Sequence, residues 1–248
     1  MKFNVFDYLR RKTISFWLLL FLIYIPIGSG LLASLSILAY INWPFRDLQI
    51  ELPNEITATK VIIIAHGVHD DTKSWVSELV ELAKQKSDSE VIALDWSQYA
   101  KNPLTCSVNA KRIGTKVAES LANFKQIKSV VLVGHSCGAF VLNGFCESFK
   151  ETSKSTDIHT VYLDPISIYG GLFKNYGKDN FGTCEDSGIL YFDKDDNVIG
   201  SNEAYPHVNS EDVTQSKKDS DYSGSAHKWP IYYFMTYQWS NYLLAIEQ

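Results

Sequence analysis

The chain has 248 residues, 46% of them hydrophobic and 21% charged, with a formal net charge of -5 at pH 7. That length allows one sizeable α/β domain and little more. The acidic balance, without a Lys/Arg block interleaved with aromatics in the body of the chain, argues against nucleic-acid binding, which needs a basic stripe.

The stretch from Ile14 to Ile41, ISFWLLLFLIYIPIGSGLLASLSILAYI, holds no charged residue. A bilayer span needs about 20 apolar residues. Lys2, Arg10, Arg11 and Lys12 precede it, so the positive-inside rule predicts a single-pass anchor over residues 14–41. Residues 1–13 then lie in the cytoplasm and the rest of the chain outside, or in an equivalent lumen. Trp17, Tyr40 and Trp43 suit the two interfaces, and Pro26, Gly28 and Gly30 suit a kink that a span tolerates. The alternative is a cleaved signal peptide with its apolar core at Phe16–Ile25, giving a secreted protein; the length of the run and the lack of an A-x-A site favour the anchor. Residues 42–59 read as a linker or a pre-strand segment broken by Pro44 and Pro53, which leaves 60–248 for the folded domain.

Within that domain the hydrophobic period switches repeatedly. KVIIIA from Lys60 is a short, wholly apolar run, as a strand covered on both faces requires. From Thr72 to Lys84, Trp75, Val76, Leu79, Val80 and Ala83 fall on one helical face. EVIALD from Glu90, KSVVLV from Lys128 and IHTVYLD from Ile158 predict further buried strands. Between them, helices are predicted over 109–124 (Ile113, Val117, Leu121, Phe124) and 138–149 (Leu142, Phe145, Phe149). Such alternation means βαβ crossovers and a mainly parallel sheet with helices on both faces. GILYFDKDDNVIGS from Gly188 reads as two short strands around a polar turn, a hairpin or a sheet edge. The stretch Glu211–Ser225 is polar and reads as a surface loop, and WPIYYFMTYQW from Trp229 as a final helix with Pro230 in its first turn.

Gly134, Ser136 and Gly138 satisfy G-x-S-x-G. The pattern gains meaning from a buried strand before it and an amphipathic helix after it, the setting of a nucleophile elbow. The helix N-terminus offers free N–H groups and a positive dipole to a developing oxyanion. The bland alternative is a Gly-rich turn whose Ser caps the helix. Of the adjacent Ser and Cys, the elbow gives the exposed apex to Ser136, so Cys137 contributes its backbone N–H. His66-Gly67 at the end of the first strand allows Val68 to supply a second oxyanion N–H. In the chain order Ser, acid, His, only His207 and His227 follow Ser136 with an acid available between. His227, late and just before an aromatic segment, is the expected base; His207, beside Pro206, reads as exposed. His69, His135 and His159 read as structural or supporting. For the acid that orients the imidazole, Asp164 and Asp193 both end apparent strands.

Here the residues resemble a family. HG followed by Trp75, then ALDWS, RIGTKVAESL, VVLVGHSCGA and LDP, in order from about Val61 to Pro165, resemble the pancreatic-type lipases of the α/β-hydrolase superfamily. AHKWPIYYF resembles the segment around that family's catalytic His. The resemblance implies the α/β-hydrolase fold, and it implies Asp164, the Asp of LDP, as the acid, with Asp193 as the alternative. The chain lacks that family's dense disulfide set. Of its four cysteines, Cys137 and Cys146 lie in an apolar segment and are expected as buried thiols, while Cys106 and Cys184 can pair if the domain is exported. DKDDNVIG hints at calcium but lacks the Gly and terminal Glu of an EF-hand loop, and Asp95 reads as a strand-end hydrogen-bonding residue. No cofactor or metal is expected. The expected function is hydrolysis of carboxylic esters, acyl lipids or smaller esters, at a membrane. The same triad also serves thioesterases, amidases and acyltransferases, and an inactive hydrolase-fold binding module is the alternative of another class.

Overall fold

The computed structural model describes residues 5–43, 48–153, 155–198 and 200–245. Lys2, of the basic N-terminal group, and Pro44, of the expected linker, lie outside them. The chain divides into two compact units, Met1–Arg46 and Asp47–Gln248.

In the first unit, α1 (Val5–Leu19) runs through a π-helical turn (Leu20–Tyr24) into α2 (Ile25–Ile41). Pro26 sits in the first turn of α2 and has no N–H for the helical ladder. The wide turn just before it is where the ladder absorbs that loss. Ser29, Ser34 and Ser36 return their hydroxyls to carbonyls three or four residues back, the local bond such side chains make within a helix. The apolar stretch within Lys12–Ile41 is unburied, with Leu22, Ile27 and Leu32 exposed. This one helix is long and apolar enough to cross a membrane, and near the N-terminus a signal sequence meets the same description.

The second unit is built on six strands: β1 (Lys60–Ala65), β2 (Glu90–Leu94), β3 (Ser129–His135), β4 (Asp157–Leu163), β5 (Ser187–Phe192) and β6 (Asn209–Asp212). Their order is β2-β1-β3-β4-β5-β6, and every neighbouring pair is parallel. The connections carry α3 (Trp75–Lys86), α4 (Pro103–Leu121), α5 (Ala139–Thr152), α6 (Tyr176–Asn180) and α7 (Thr214–Lys218). Successive strand residues face opposite ways, which explains why the runs are wholly apolar. Val61, Ile63, Val130 and Leu132 pack with Ile113 and Val117 of α4 and Leu142 and Phe145 of α5. Ile62, Ile64, Val131 and Val133 pack with Val76 and Leu79 of α3 and with Trp229, Phe234 and Trp239. Those last residues belong to α8 (Trp229–Tyr233), a π-helical turn (Phe234–Gln238) and α9 (Trp239–Ala245), so the expected final helix comes in three pieces. The result is the α/β-hydrolase arrangement, a parallel sheet with helices on both faces.

Several expectations are corrected. Residues 48–59 are not a free linker: Leu48 and Ile56 are buried in the core, and the Thr59 carbonyl accepts Lys128 N at 2.7 Å. The expected hairpin after Gly188 is one strand, β5, because the chain after Phe192 turns rather than returns. Gly200 and Asn202, both at positive φ (85° and 65°), help carry it away. Its neighbour is instead β6, whose last residues fall in the stretch expected to be a loop, as does α7. The cysteines pair as Cys106–Cys137 and Cys146–Cys184. Cys137 and Cys146 are therefore not thiols, and Cys106 does not pair with Cys184.

Candidate active site

β3 ends at His135 and the chain turns through Ser136–Gly138 into α5. Ser136 takes φ 54°, a left-handed conformation that a residue with a Cβ holds only when its surroundings impose it. The turn fits because two glycines admit close approach. A Cβ on Gly138 would lie 2.5 Å from the Ala65 carbonyl oxygen, and one on Gly67 would lie 2.9 Å from Ser136 Cβ. Cys137 follows in the first turn of the helical run, where backbone N–H groups have no intrahelical acceptor. Its Sγ is bonded to Cys106 of α4. Val68 follows Gly67 after β1. The Trp96 indole braces that loop, donating Nε1–H to the His66 carbonyl (3.2 Å) and stacking on the His66 ring at 5.3 Å.

Ser136, Val68 and His227 line one cavity of about 540 Å³. Leu104, Ile166, Ile168 and Val198 give it apolar walls, while Asp70 and Lys228 add charge. His227 lies on a short turn, Ala226–Lys228, just before α8. Its Nδ1 is 3.1 Å from Asp164 Oδ2 and 2.9 Å from Asp196 Oδ2. Ionised carboxylates only accept, so Nδ1 carries the hydrogen and Nε2 is left as the basic edge.

Asp164 follows β4 at φ 44°, fully buried, with its backbone N donating to the Tyr191 carbonyl at 2.8 Å. Burial pushes its carboxyl up to about 7, against the hydrogen bond and charge of His227, which pull it down. Burial would also raise Asp196, but hydrogen bonds from His227 and Ser201 outweigh it and hold the carboxyl below its usual range. The His227 imidazole is lowered by burial and raised more by its two carboxylates, to about 9.

The other acid expectation is not met in space. Asp193 Oδ2 lies 3.2 Å from Lys217 Nζ, and its Oδ1 accepts Asp195 N at 2.9 Å. Asp196, three residues further on, comes round to His227 instead. Testing every Asp of that loop, rather than the one at the strand end, is the signal that would have found it. His69 and His135 line the cavity; His159 bonds Ser187 at 2.8 Å, and His207 is exposed. Asp95 Oδ1 accepts Ser97 N at 3.1 Å, the strand-end role expected of it.

Among the described residues, two groups bring metal-ligating atoms within 4.8 Å of one another. In one, Cys146, Cys184 and Glu185, the sulfurs are joined to each other and offer no thiolate. In the other, Asp164, Asp196 and His227, the ring nitrogen facing the carboxylates carries a proton and has no lone pair for an ion. Neither fits a metal as it stands.

Similarity to solved structures is distant. A lipase-esterase related protein from Clostridium acetobutylicum is 12% identical, covering 81% of this chain and 98% of its own, with a TM-score of 0.48. Carboxylesterase CesB from Bacillus subtilis is 10% identical over 88% of this chain and 97% of its own, with a TM-score of 0.45. A membrane phospholipase A is 12% identical over 80% and 91%, with a TM-score of 0.41. No curated protein sequence matches the chain. The profile of the lipase family, however, matches residues 46–170. That match takes in just over half of the 248 residues, including the β3–Ser136–α5 turn and Asp164. The chain therefore belongs to the lipase family, a lipase/esterase-like hydrolase of the α/β-hydrolase fold.

Proposed function

We propose that the chain is a serine hydrolase of carboxylic esters that works through an acyl-enzyme. Ser136 Oγ attacks the ester carbonyl carbon while His227 Nε2 takes its proton. Asp164 holds the Nδ1–H tautomer and stabilises the imidazolium. The N–H groups of Val68 and Cys137 receive the oxyanion. His227 passes the proton to the leaving alcohol, then takes one from the water that attacks acyl-Ser136 and returns it to Ser136 Oγ as the acid leaves. The apolar walls suit an acyl chain, so acyl lipids and apolar esters are the substrate class.

One observation carries this reading: the apex Ser136 and His227 share a cavity, and the imidazole Nδ1 faces the buried Asp164 at 3.1 Å. Turnover of nitrophenyl esters of graded chain length by the full-length protein, beside Ser136→Ala and His227→Ala, tests it. Each substitution is expected to remove on the order of 10⁴-fold or more of kcat. Undiminished turnover by Ser136→Ala overturns the reading.

The two disulfides suit an oxidising compartment. With Arg10, Arg11 and Lys12 before the apolar helix, they support an anchor with residues 1–13 in the cytoplasm and the hydrolase unit outside. Protease digestion of the hydrolase unit from the cytoplasmic face of the membrane overturns this topology. Cleavage after the helix would give the secreted form instead.

A further inference from the structure

We propose that Asp196 is a second orienting carboxylate for His227, so that the imidazole is held from two strand ends, by Asp164 after β4 and by Asp196 after β5. The proposal rests on the serine-hydrolase reading above for its catalytic meaning, and on the geometry alone for the contact.

The single Nδ1–H faces two carboxylate oxygens, at 3.1 Å and 2.9 Å. The two acids live in different surroundings. Asp164 is fully buried, and among the described residues nothing donates to its Oδ1. Asp196 accepts the Ser201 hydroxyl at Oδ2 and Val198 N at Oδ1 (3.2 Å). Its backbone is fixed as well: the Asp196 N donates to the Asp193 carbonyl at 3.0 Å, and Asn202 Nδ2 donates to the Asp196 carbonyl at 2.8 Å. The loop is tied to the Asp164 segment, because the Tyr205 hydroxyl lies 2.9 Å from the Pro165 carbonyl and 3.0 Å from that of Gly200. A loop that merely turned the chain would not need its third Asp held in this way against the imidazole.

Two carboxylates this close do not both ionise freely. The group without donors takes the shared proton more readily, and the group with donors keeps its charge. Asp196 thus adds a second counter-charge, beside Asp164, when His227 becomes an imidazolium, and Asp164 also fixes the plane of the ring. Among the described residues, the other titratable or charged groups that line the same cavity are His69 and Asp70 beyond β1, His135 at the end of β3, and Lys228 next in the chain. Asp196 acts on substrate only through His227, so it is a positioning residue.

The test is a titration of the His227 ring nitrogens by nitrogen NMR on the full chain in a Ser136→Ala background, beside kcat of the Ser136-intact forms. The variants are Asp196→Asn, Asp164→Asn and both together. Each single change is expected to lower the imidazole pKa and to reduce kcat by about 10- to 100-fold, and the double change to reduce it by about 10⁴-fold. Ser201→Ala loosens the loop without removing the carboxylate, and is expected to move the titration far less than Asp196→Asn. A wild-type His227 titration in Asp196→Asn overturns the proposal, as does an Asp164→Asn loss as deep as that of the double variant. Should Asp196→Asn not fold, the wild-type chain still decides: a His227 pKa near the ordinary value of about 6.5 overturns the proposal. Turnover surviving in Ser136→Ala would instead overturn the serine-hydrolase reading, leaving the NMR titration to judge Asp196 by itself.

Discussion

His135 donates its Nε2–H to the backbone carbonyl of His227 at 2.9 Å, and the two rings lie 4.7 Å apart. The residue just before Ser136 therefore holds the turn that carries His227. Burial, with the nearby His227, depresses the His135 pKa to about 3, so the ring stays neutral in this role. Removing the donor costs about 1 kcal/mol of hydrogen bonding, but a misplaced base weakens chemistry more. His135→Ala is expected to lower kcat on the order of 10- to 100-fold, and His135→Gln, which keeps a donor, to lose less. Equal kcat in both variants and wild type would show that the turn holds itself.

The Cys106–Cys137 disulfide ties α4 to the residue after Ser136, closing a sequence separation of 31. Chain-entropy reasoning assigns such a loop about 3–4 kcal/mol. Cys137→Ala is expected to lower Tm and leave turnover per folded molecule within a small factor, because the proposed nucleophile is Ser136 and the substitution keeps the backbone N–H. Calorimetry beside active-site titration separates the two effects. Complete loss of turnover in a folded Cys137→Ala protein would return the sulfur to the chemistry.

Activity needs a neutral imidazole at His227, whose pKa is lifted to about 9 by its two carboxylates against burial. kcat/KM is therefore expected to climb with pH from neutrality towards about 9 and then level, with the limb belonging to Asp164, Asp196 and His227 as a unit. The stability sign is opposite. The folded pKa lies above the unfolded value, so the charged imidazole stabilises fully below about pH 6.5, and that stability is lost as pH rises through 9. The Tm difference between wild type and His227→Gln should shrink over the same range; a constant difference contradicts the shift.

Leu172 and Phe173 are exposed, at 54% and 61%, beside Gly171, which lines the cavity. Exposed apolar side chains next to an apolar cavity suit a lipid-water surface. Leu172→Ser with Phe173→Ser is expected to lower turnover of dispersed long-chain esters several-fold while leaving short soluble esters unchanged. Equal losses on both would place these residues in general folding instead.

The strands that the sequence reveals are those buried on both faces: KVIIIA and KSVVLV become β1 and β3 within one residue of their expected starts. The edge is where reading fails. β6 is Asn209–Asp212, four polar residues that are exposed or half-buried, so no apolar period marks it. Without β6, the polar residues after β5 look like a hairpin turn. The same gap hid Asp196, since only the path of the 193–202 loop brings it to His227. The disulfides were illegible for a related reason. Cys106 looks loop-like beside Pro103, yet it lies buried in α4 against the Ser136 turn. Ser136, His227 and Asp164, the proposed triad, could be singled out because strand–turn–helix context, chain order and the LDP resemblance each constrain one of them.

The central claim is that Ser136 is the nucleophile. Mass spectrometry of the full chain after treatment with a fluorophosphonate tests it most directly. A single adduct on Ser136 is expected, reduced by prior ester substrate and absent from Ser136→Ala. An adduct that persists in Ser136→Ala, or ester turnover that continues with Ser136 fully modified, would contradict it.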